Sequence, residues 1–340
     1  MDIVIPWVNS DDPAWQQAVA RCSPAFQPSS CLATEADAQY RDWNLLRYVF
    51  RGIETFLPWV RRVFFVSMLG QKPDWLEEDC PRLTLVDHRD YIPAEWLPTF
   101  SSHPIELNLH RISDLSSRFV YFNDDTFVIR PMPESAFFVA GRPRDQVKFW
   151  SPGVRGYGYL YPHVLINNSG VLSRHFCYRT AVRNHPSVWL SPRHGAVTMA
   201  VATATSLLPS SYFPVLGAHH YPAALTKIAY EQLWACEGDL LAEVSSHKYR
   251  ALSDVNQYLI RGWQQMQGVI VPRNFERDGR VFNRPDRDVN QLVETIAQRK
   301  VSLVCINDHE TMTFQGGVVE KIRGAFESVL PQRSSFEKAG

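Results

Sequence analysis

The chain has 340 residues, 45% hydrophobic and 21% charged, which suits an α/β unit with an inserted region and argues against disorder outside the termini. Thirty-five basic residues balance thirty-five acidic ones, so no global field points to nucleic acid or an anionic membrane, and an anionic substrate has to be held locally. No run of about 18 apolar residues marks a transmembrane segment.

The first residues, Met1 to Trp7, read as a strand around Ile3-Val4-Ile5 and lack the basic and long apolar regions of a signal peptide. Pro6 to Asp12 then forms a polar turn, and Pro24 to Thr34, rich in Ser, Pro and Gln, reads as a loop. From Asp42 the apolar positions Leu45, Leu46, Val49, Phe50, Ile53, Phe56 and Leu57 recur at helical spacing until Pro58 ends the pattern. Val63 to Met68 and Leu83 to Val86 are further strands, and a helix beginning near Pro104 is expected to carry Ile105, Leu109 and Ile112 inward. Phe119 to Phe122 reads as a buried parallel strand. This alternation predicts an α/β fold, a mostly parallel sheet with helices on both faces.

Beyond Arg130 the pattern loosens. Arg142 to Asn168, rich in Gly, Pro and Tyr, reads as long active-site loops, while Gly195 to Pro209 and Tyr221 to Glu243 read as helical. A final strand, Val301 to Ile306, leads into Asn307-Asp308, and a last helix spans Val318 to Val329. Six scattered cysteines (Cys22, Cys31, Cys80, Cys177, Cys236, Cys305) show no Cys-x-x-Cys pair and point to reduced thiols in a cytoplasmic protein. A Cys22–Cys31 loop closure in an oxidising compartment is the alternative. The sequon Asn167-Asn168-Ser169 carries no meaning without secretion.

The chemistry concentrates after the fourth strand, where Tyr121-Phe122 is followed by Asn123-Asp124-Asp125. Open α/β sheets keep ligands at the carboxyl ends of their strands. Two adjacent carboxylates there suit a hard divalent cation shared with substrate phosphates, Mg²⁺ or Mn²⁺, and the competing reading is a solvated Asx turn.

Four separated blocks carry a resemblance. The first is Asp2-Ile3-Val4-Ile5-Pro6-Trp7-Val8-Asn9. The second runs from Arg47-Tyr48 through Arg51-Gly52-Ile53-Glu54, Gly70-Gln71, Ile105-Glu106 and His110-Arg111 to Asn123-Asp124-Asp125. The third holds His220-Tyr221-Pro222 and His247-Lys248-Tyr249-Arg250, and the fourth joins Cys305-Ile306-Asn307-Asp308 to Ser334-Ser335-Phe336-Glu337. In order and spacing they resemble the Stealth family, which includes bacterial capsular polysaccharide phosphotransferases and the lysosomal-enzyme N-acetylglucosamine-1-phosphotransferase. The chain departs from the family pattern at Ile5-Pro6-Trp7, at Ser67-Met68-Leu69-Gly70-Gln71 and in an acid displaced to Asp254, changes that bear on the donor sugar more than on the reaction.

The resemblance implies a nucleotide-sugar transferase-like domain over residues 1–340, with about 140–265 as a loop and helical insertion completing the active site. It implies transfer of a sugar-1-phosphate from a nucleotide-diphosphate sugar such as UDP-GlcNAc to a glycan acceptor in capsular or exopolysaccharide synthesis. The product is a phosphodiester and the leaving group a nucleoside monophosphate. Glu106, Asp125, His220 and Arg250 correspond to the family's functional residues, with Arg250 suited to the transferring phosphate and His220 favoured over Glu106 as base. Asp124, Asp125 and Asp308 are the metal candidates. Trp7, Val8, Asn9, Arg47 and Asn123 are the nucleotide-sugar candidates, a core role being the competing reading for Trp7. The expected setting is cytoplasmic, at the inner face of the membrane through peripheral association with a capsule-assembly complex. Two other readings stay open: a metal-dependent glycosyltransferase releasing a nucleoside diphosphate, and an inert glycan-binding protein.

Overall fold

The computed structural model describes residues 1–22, 43–150, 159–307 and 317–339. Its strands are β1 (Asp2–Pro6), β2 (Val63–Ser67), β3 (Leu83–Asp87), β4 (Arg118–Tyr121), β5 (Thr126–Val128), β6 (Phe138–Val139), β7 (Arg142–Asp145), β8 (Ala223–Thr226), β9 (Val271–Pro272), β10 (Gly279–Phe282) and β11 (Leu303–Ile306). The central sheet has the order β3-β2-β1-β4-β8. Its first four strands are parallel, with Ile3 beside Val63 and Val120, and Val63 beside Leu83. β8 closes the edge antiparallel to β4, Tyr121 opposite Ala223.

Alternation along the strands divides the apolar residues between two cores. Ile3, Ile5, Val63, Phe65 and Val120 face one core, filled by the helices Leu46–Phe56, Val289–Ala297 and Val318–Val329. Val4, Phe64, Val66, Phe119 and Tyr121 face the other, filled by Ser102–Leu107, Leu160–His175, Lys227–Ser246 and Gln257–Met266. The α/β fold with a mostly parallel sheet and helices on both faces is as the sequence predicts.

The second and fourth blocks are joined by charge. Arg51, buried on the helix Leu46–Phe56, donates in a fork to both carboxylate oxygens of Glu337 at 2.8 and 2.9 Å, and also to Glu327 and the Leu330 carbonyl. On the same helix Gly52 permits a close approach to β5: a Cβ there would sit 2.4 Å from the Val128 carbonyl oxygen.

Several expectations need correction. Tyr221–Glu243 is not helical throughout: Ala223–Thr226 is β8, and the helix starts at Lys227. Pairing with β4 and two bonds to the buried Gln264 amide, from Thr226 N and Oγ1, override its helical propensity. Arg142–Asn168 is not all loop, since it contains β7 and the start of the helix Leu160–His175; residues 151–158 lie outside the described residues. The helix at Pro104 stops at Leu107, where the Asn108 side chain turns back to the Pro104 carbonyl, and Leu109–Arg111 continues as a 3₁₀ turn. The last strand begins at Leu303, two residues later than expected. β11 lies in a separate sheet, parallel to β10 and antiparallel to β5. The Pro24–Thr34 loop falls outside the described residues.

Two predictions follow from this packing. Gly52→Ala forces helix and strand apart and costs about 1–3 kcal/mol, read as a lowered midpoint in chemical denaturation, and an unchanged midpoint would contradict the close approach. Burial holds His88 at a pKa of about 4, burial with Arg111 and Lys227 holds His110 at about 3, and burial with Arg261 holds His219 at about 4. The unfolded chain protonates these groups below their ordinary value of 6.5 while the folded protein does not. Each therefore removes up to about 1.4 kcal/mol per pH unit as the pH falls from 6.5 toward 4, against an opposing contribution from Glu106, whose raised pKa favours proton uptake in the folded state. Calorimetry should show the Tm falling through this window, and a Tm that holds or rises would refute it.

Candidate active site

The register of β4 and β8 builds the site. Extended past Tyr121–Ala223, it carries Asn123, Asp124 and Asp125 out of one strand and His220 toward the other. His220 Nε2 lies 2.8 Å from Asp125 Oδ2, and Asn123 Nδ2 lies 3.3 Å from the same nitrogen. Thr126 Oγ1 donates to Asp125 Oδ1 at 3.2 Å, and the Asp125 carbonyl accepts from Ile306 N, which ties the turn to β11. Burial alone would lower the His220 pKa, but the carboxylates of Asp125, Asp124 and Glu106 outweigh it and raise it. In the neutral ring, donation from Nε2 to the carboxylate leaves the lone pair on Nδ1.

Glu106 sits on the short helix Ser102–Leu107, buried beside β4. Its Oε1 accepts from Tyr121 OH at 3.1 Å and its Oε2 from the Gln257 backbone N–H at 3.3 Å. Burial raises its pKa, with His103, the Gln257 N–H, Arg250 and Tyr121 pulling the other way. Arg250 donates from Nη2 to Ser102 Oγ at 3.0 Å, so its guanidinium is held at the opening turn of the Glu106 helix. Asn123, Asp125 and His220 are thus in direct contact, Glu106 lies within electrostatic reach of His220, and Arg250 within reach of Glu106.

The other candidates are placed differently. Trp7 is buried against Phe65, ring centroids 5.5 Å apart, as part of the core. Asn9 is fixed by Gln71, which accepts from its N–H at 3.2 Å and donates to its carbonyl at 3.0 Å. Val8 leans on the small cluster of Trp15, Val19, Met68 and Phe100. Arg47, at the first turn of its helix, lies 5.6 Å over the Trp75 ring. Asp124 is exposed, and Asp308 lies outside the described residues. Among the described residues no three His, Cys, Asp or Glu side chains gather in metal-binding geometry. Asp124 and Asp125 remain compatible with an ion of the kind held by one or two carboxylates plus substrate phosphates, because each Asp125 oxygen keeps a lone pair beyond its recorded hydrogen bond.

Two buried networks support the site and were not legible in the sequence. Asp254 accepts from His103 Nδ1 at 2.8 Å, His247 Nδ1 at 2.7 Å and the Ala251 N–H at 2.9 Å, bringing the third block against the Glu106 helix. His103 precedes Glu106 by three residues on one helix, the single local signal that could have marked it. Asp145 receives Arg261 Nη2 at 2.6 Å, His219 Nε2 at 2.9 Å and Gln265 Nε2 at 2.8 Å, and Arg261 Nη1 also holds the His219 carbonyl. Burial would raise the Asp145 pKa, yet Arg261 and His219 hold it far below the carboxylate range. This network fixes the backbone immediately before His220.

The sequence model of Stealth protein CR2, conserved region 2, matches residues 39–145. Over 340 residues the chain is 32% identical to the capsular polysaccharide phosphotransferase WcwK of Streptococcus pneumoniae, covering 99% of this chain and 98% of that protein. It is 31% identical over 338 residues to the receptor polysaccharide phosphotransferase WefC of Streptococcus oralis, covering 99% of each. It is 30% identical over 341 residues to the exopolysaccharide phosphotransferase cps2G of Lactiplantibacillus plantarum, covering 99% of this chain and 96% of that protein. A solved galactosyltransferase, LgtC in complex with donor and acceptor sugar analogues, aligns over 96% of both chains at 10% identity and a TM-score of 0.36, a likeness too slight to build on. The chain belongs to the Stealth family, and its activity is that of a phosphotransferase. No helix among the described residues is long and apolar enough to cross a membrane.

Removing one partner of a buried ion pair strands the other. Asp145→Asn should therefore destabilise the protein by about 3–5 kcal/mol in denaturant titration, and a loss below about 1 kcal/mol would show the network to be incidental to the fold.

Proposed function

We propose that the protein transfers a sugar-1-phosphate from a nucleotide-diphosphate sugar, UDP-GlcNAc or a close analogue, to a hydroxyl of a glycan acceptor in capsular or exopolysaccharide synthesis. The observation that carries this reading is the 2.8 Å contact between His220 and Asp125 at the end of β4, in a chain whose relatives are phosphotransferases. In the proposed step His220 Nδ1 takes the acceptor hydroxyl proton, with Asp125 holding the ring through Nε2–H. The acceptor oxygen attacks the phosphorus that bears the sugar. The bond from that phosphorus to the bridging oxygen breaks, and the nucleoside monophosphate leaves with that oxygen.

In this reading Arg250 supplies a planar, permanently charged fork for the equatorial oxygens of the transferring group. Glu106, held by Tyr121 OH and the Gln257 N–H, acts as a positioning carboxylate. Asp124 and Asp125, with Asp308, would hold Mg²⁺ or Mn²⁺, which when bound neutralises charge on the pyrophosphate. Val8, Asn9, Asn123 and Arg47 are the residues proposed for the donor side, and the stretch 140–265 supplies His220 and Arg250.

The test is product analysis by mass after incubation with UDP-GlcNAc, Mg²⁺ and a capsule-type oligosaccharide. UMP release with a sugar-phosphate mass added to the acceptor is expected. His220→Ala should lower kcat by about 10²–10⁴-fold while the protein stays folded, and Arg250→Lys, which keeps the charge and loses the fork, should also impair turnover. UDP release with a sugar alone added would favour a glycosyltransferase. Silence across a donor panel would favour the inert glycan-binding reading.

A further inference from the structure

At the far end of the β5–β11 pair lies a cavity of about 430 Å³ whose lining includes four arginines, Arg144, Arg193, Arg273 and Arg277, and one carboxylate, Asp278. Its charged residues are separate in sequence: β7 supplies Arg144, the turn Pro192–His194 supplies Arg193, and the segment between β9 and β10 supplies Arg273, Arg277 and Asp278. Ser302, at its rim, precedes the strand whose other end, Ile306, binds the Asp125 carbonyl. The two are four residue steps apart along extended chain, roughly 13 Å at about 3.3 Å per residue. The cavity is therefore distinct from the reacting centre and lies on the same small sheet.

Its charge is poorly compensated from within. Asp278 is taken by Arg273, through Nε at 3.1 Å and Nη2 at 2.7 Å, and Arg273 also donates to the Ala136 carbonyl. Arg144, Arg193 and Arg277 form no ion pair among the described residues. Arg144 donates from Nη1 to the Ser135 carbonyl at 3.1 Å, while its Nε is buried with no hydrogen-bond partner. A buried donor without an acceptor and like charges facing one another both cost free energy that an oxyanion in the cavity would recover. Guanidinium forks match phosphate, and the volume is that of a small-molecule site, larger than bare phosphate needs. Arg193 and Arg277 are exposed at the mouth, so the bound group can belong to a longer chain.

We propose that this cavity is a second phosphate-recognition site that holds a phosphodiester of the acceptor glycan while a hydroxyl elsewhere on that glycan reaches His220. The inference rests on the reaction proposed above, because an acceptor extended by that reaction carries such phosphodiesters. It gives the enzyme a means to prefer a chain it has already extended over an unmodified one.

Calorimetric titration of the full chain tests it with three probes: an oligosaccharide containing one internal phosphodiester, the same oligosaccharide without it, and inorganic phosphate. The wild type should bind the phosphodiester oligosaccharide about tenfold or more tightly than its phosphate-free counterpart. The double variant Arg193→Ala/Arg277→Ala, altered at exposed positions, should lose that preference with an unchanged Tm, and Arg144→Gln should weaken it independently. In turnover the double variant should raise KM for the phosphodiester acceptor and leave the donor KM unchanged. Equal binding of the two oligosaccharides, or a preference that survives in the variants, would overturn the proposal. Inorganic phosphate binding as tightly as the phosphodiester oligosaccharide would make this a free-anion site and overturn the acceptor assignment. Because binding is read without turnover, a phosphate-dependent preference in a protein that transfers nothing would sink the proposed reaction and leave the cavity assignment standing.

Discussion

The antiparallel docking of β8 on β4 is the constraint on which the site depends. Parallel strands β1 to β4 bring their carboxyl ends to one edge, but a parallel sheet alone would leave Asn123, Asp124 and Asp125 without a histidine. Reversal of β8 puts the residues before its start beside the residues after the end of β4, so Tyr121 opposite Ala223 fixes His220 against Asp125 across 95 positions of sequence. A slip of one residue would turn the side chains of Ala223–Thr226 to the other face, because strand side chains alternate, and would shift the chain that leads back to His220. Gln264 guards against this by bonding both Thr226 and the Ala224 carbonyl.

The same strand launches the helix Lys227–Ser246, which covers the Glu106 segment. Tyr230 OH reaches the Glu106 carbonyl at 3.1 Å and Trp234 Nε1 the Leu107 carbonyl at 3.0 Å, so one element positions the histidine and clamps the turn that carries the glutamate. A helix of six residues has little stability of its own and is held here by partners. Around it, charged networks add to the apolar packing. Asp254 gathers His103 and His247, and Asp145 gathers Arg261, His219 and Gln265. In low dielectric such satisfied networks hold their members in place, which is what the proposed reaction, with a base and a guanidinium acting at one phosphorus, requires. Arg51 and Glu337 play the equivalent part on the other face, where they anchor the C-terminal segment to the helix beside β5.

The strands β1 to β4, the helices Leu46–Phe56 and Val318–Val329, and the acids after Phe122 could be read from local pattern, because apolar periodicity reports burial directly. Glu106, Asp125, His220 and Arg250 came from motif resemblance, and the structure gathers them at one edge of the sheet. The misread segments share a cause. Ala223–Thr226 has no β-branched residue until its last position, and its strand state exists because β4 offers a free edge. Asn108 ends its helix through a side-chain bond that no periodicity encodes.

What the sequence determined by itself, then, was the α/β alternation, the two faces of the sheet and the identity of the groups that carry charge at its edge, since these depend on residue type and near-neighbour spacing. Tertiary structure alone decided that His220 meets Asp125, that His103 and His247 share Asp254, that Trp7 is core, and that four arginines from three separate segments converge on one cavity. Each of these joins residues far apart in the chain. The interaction energy depends on distance in space, and that distance is set only when the β-strand register and the helix packing close together.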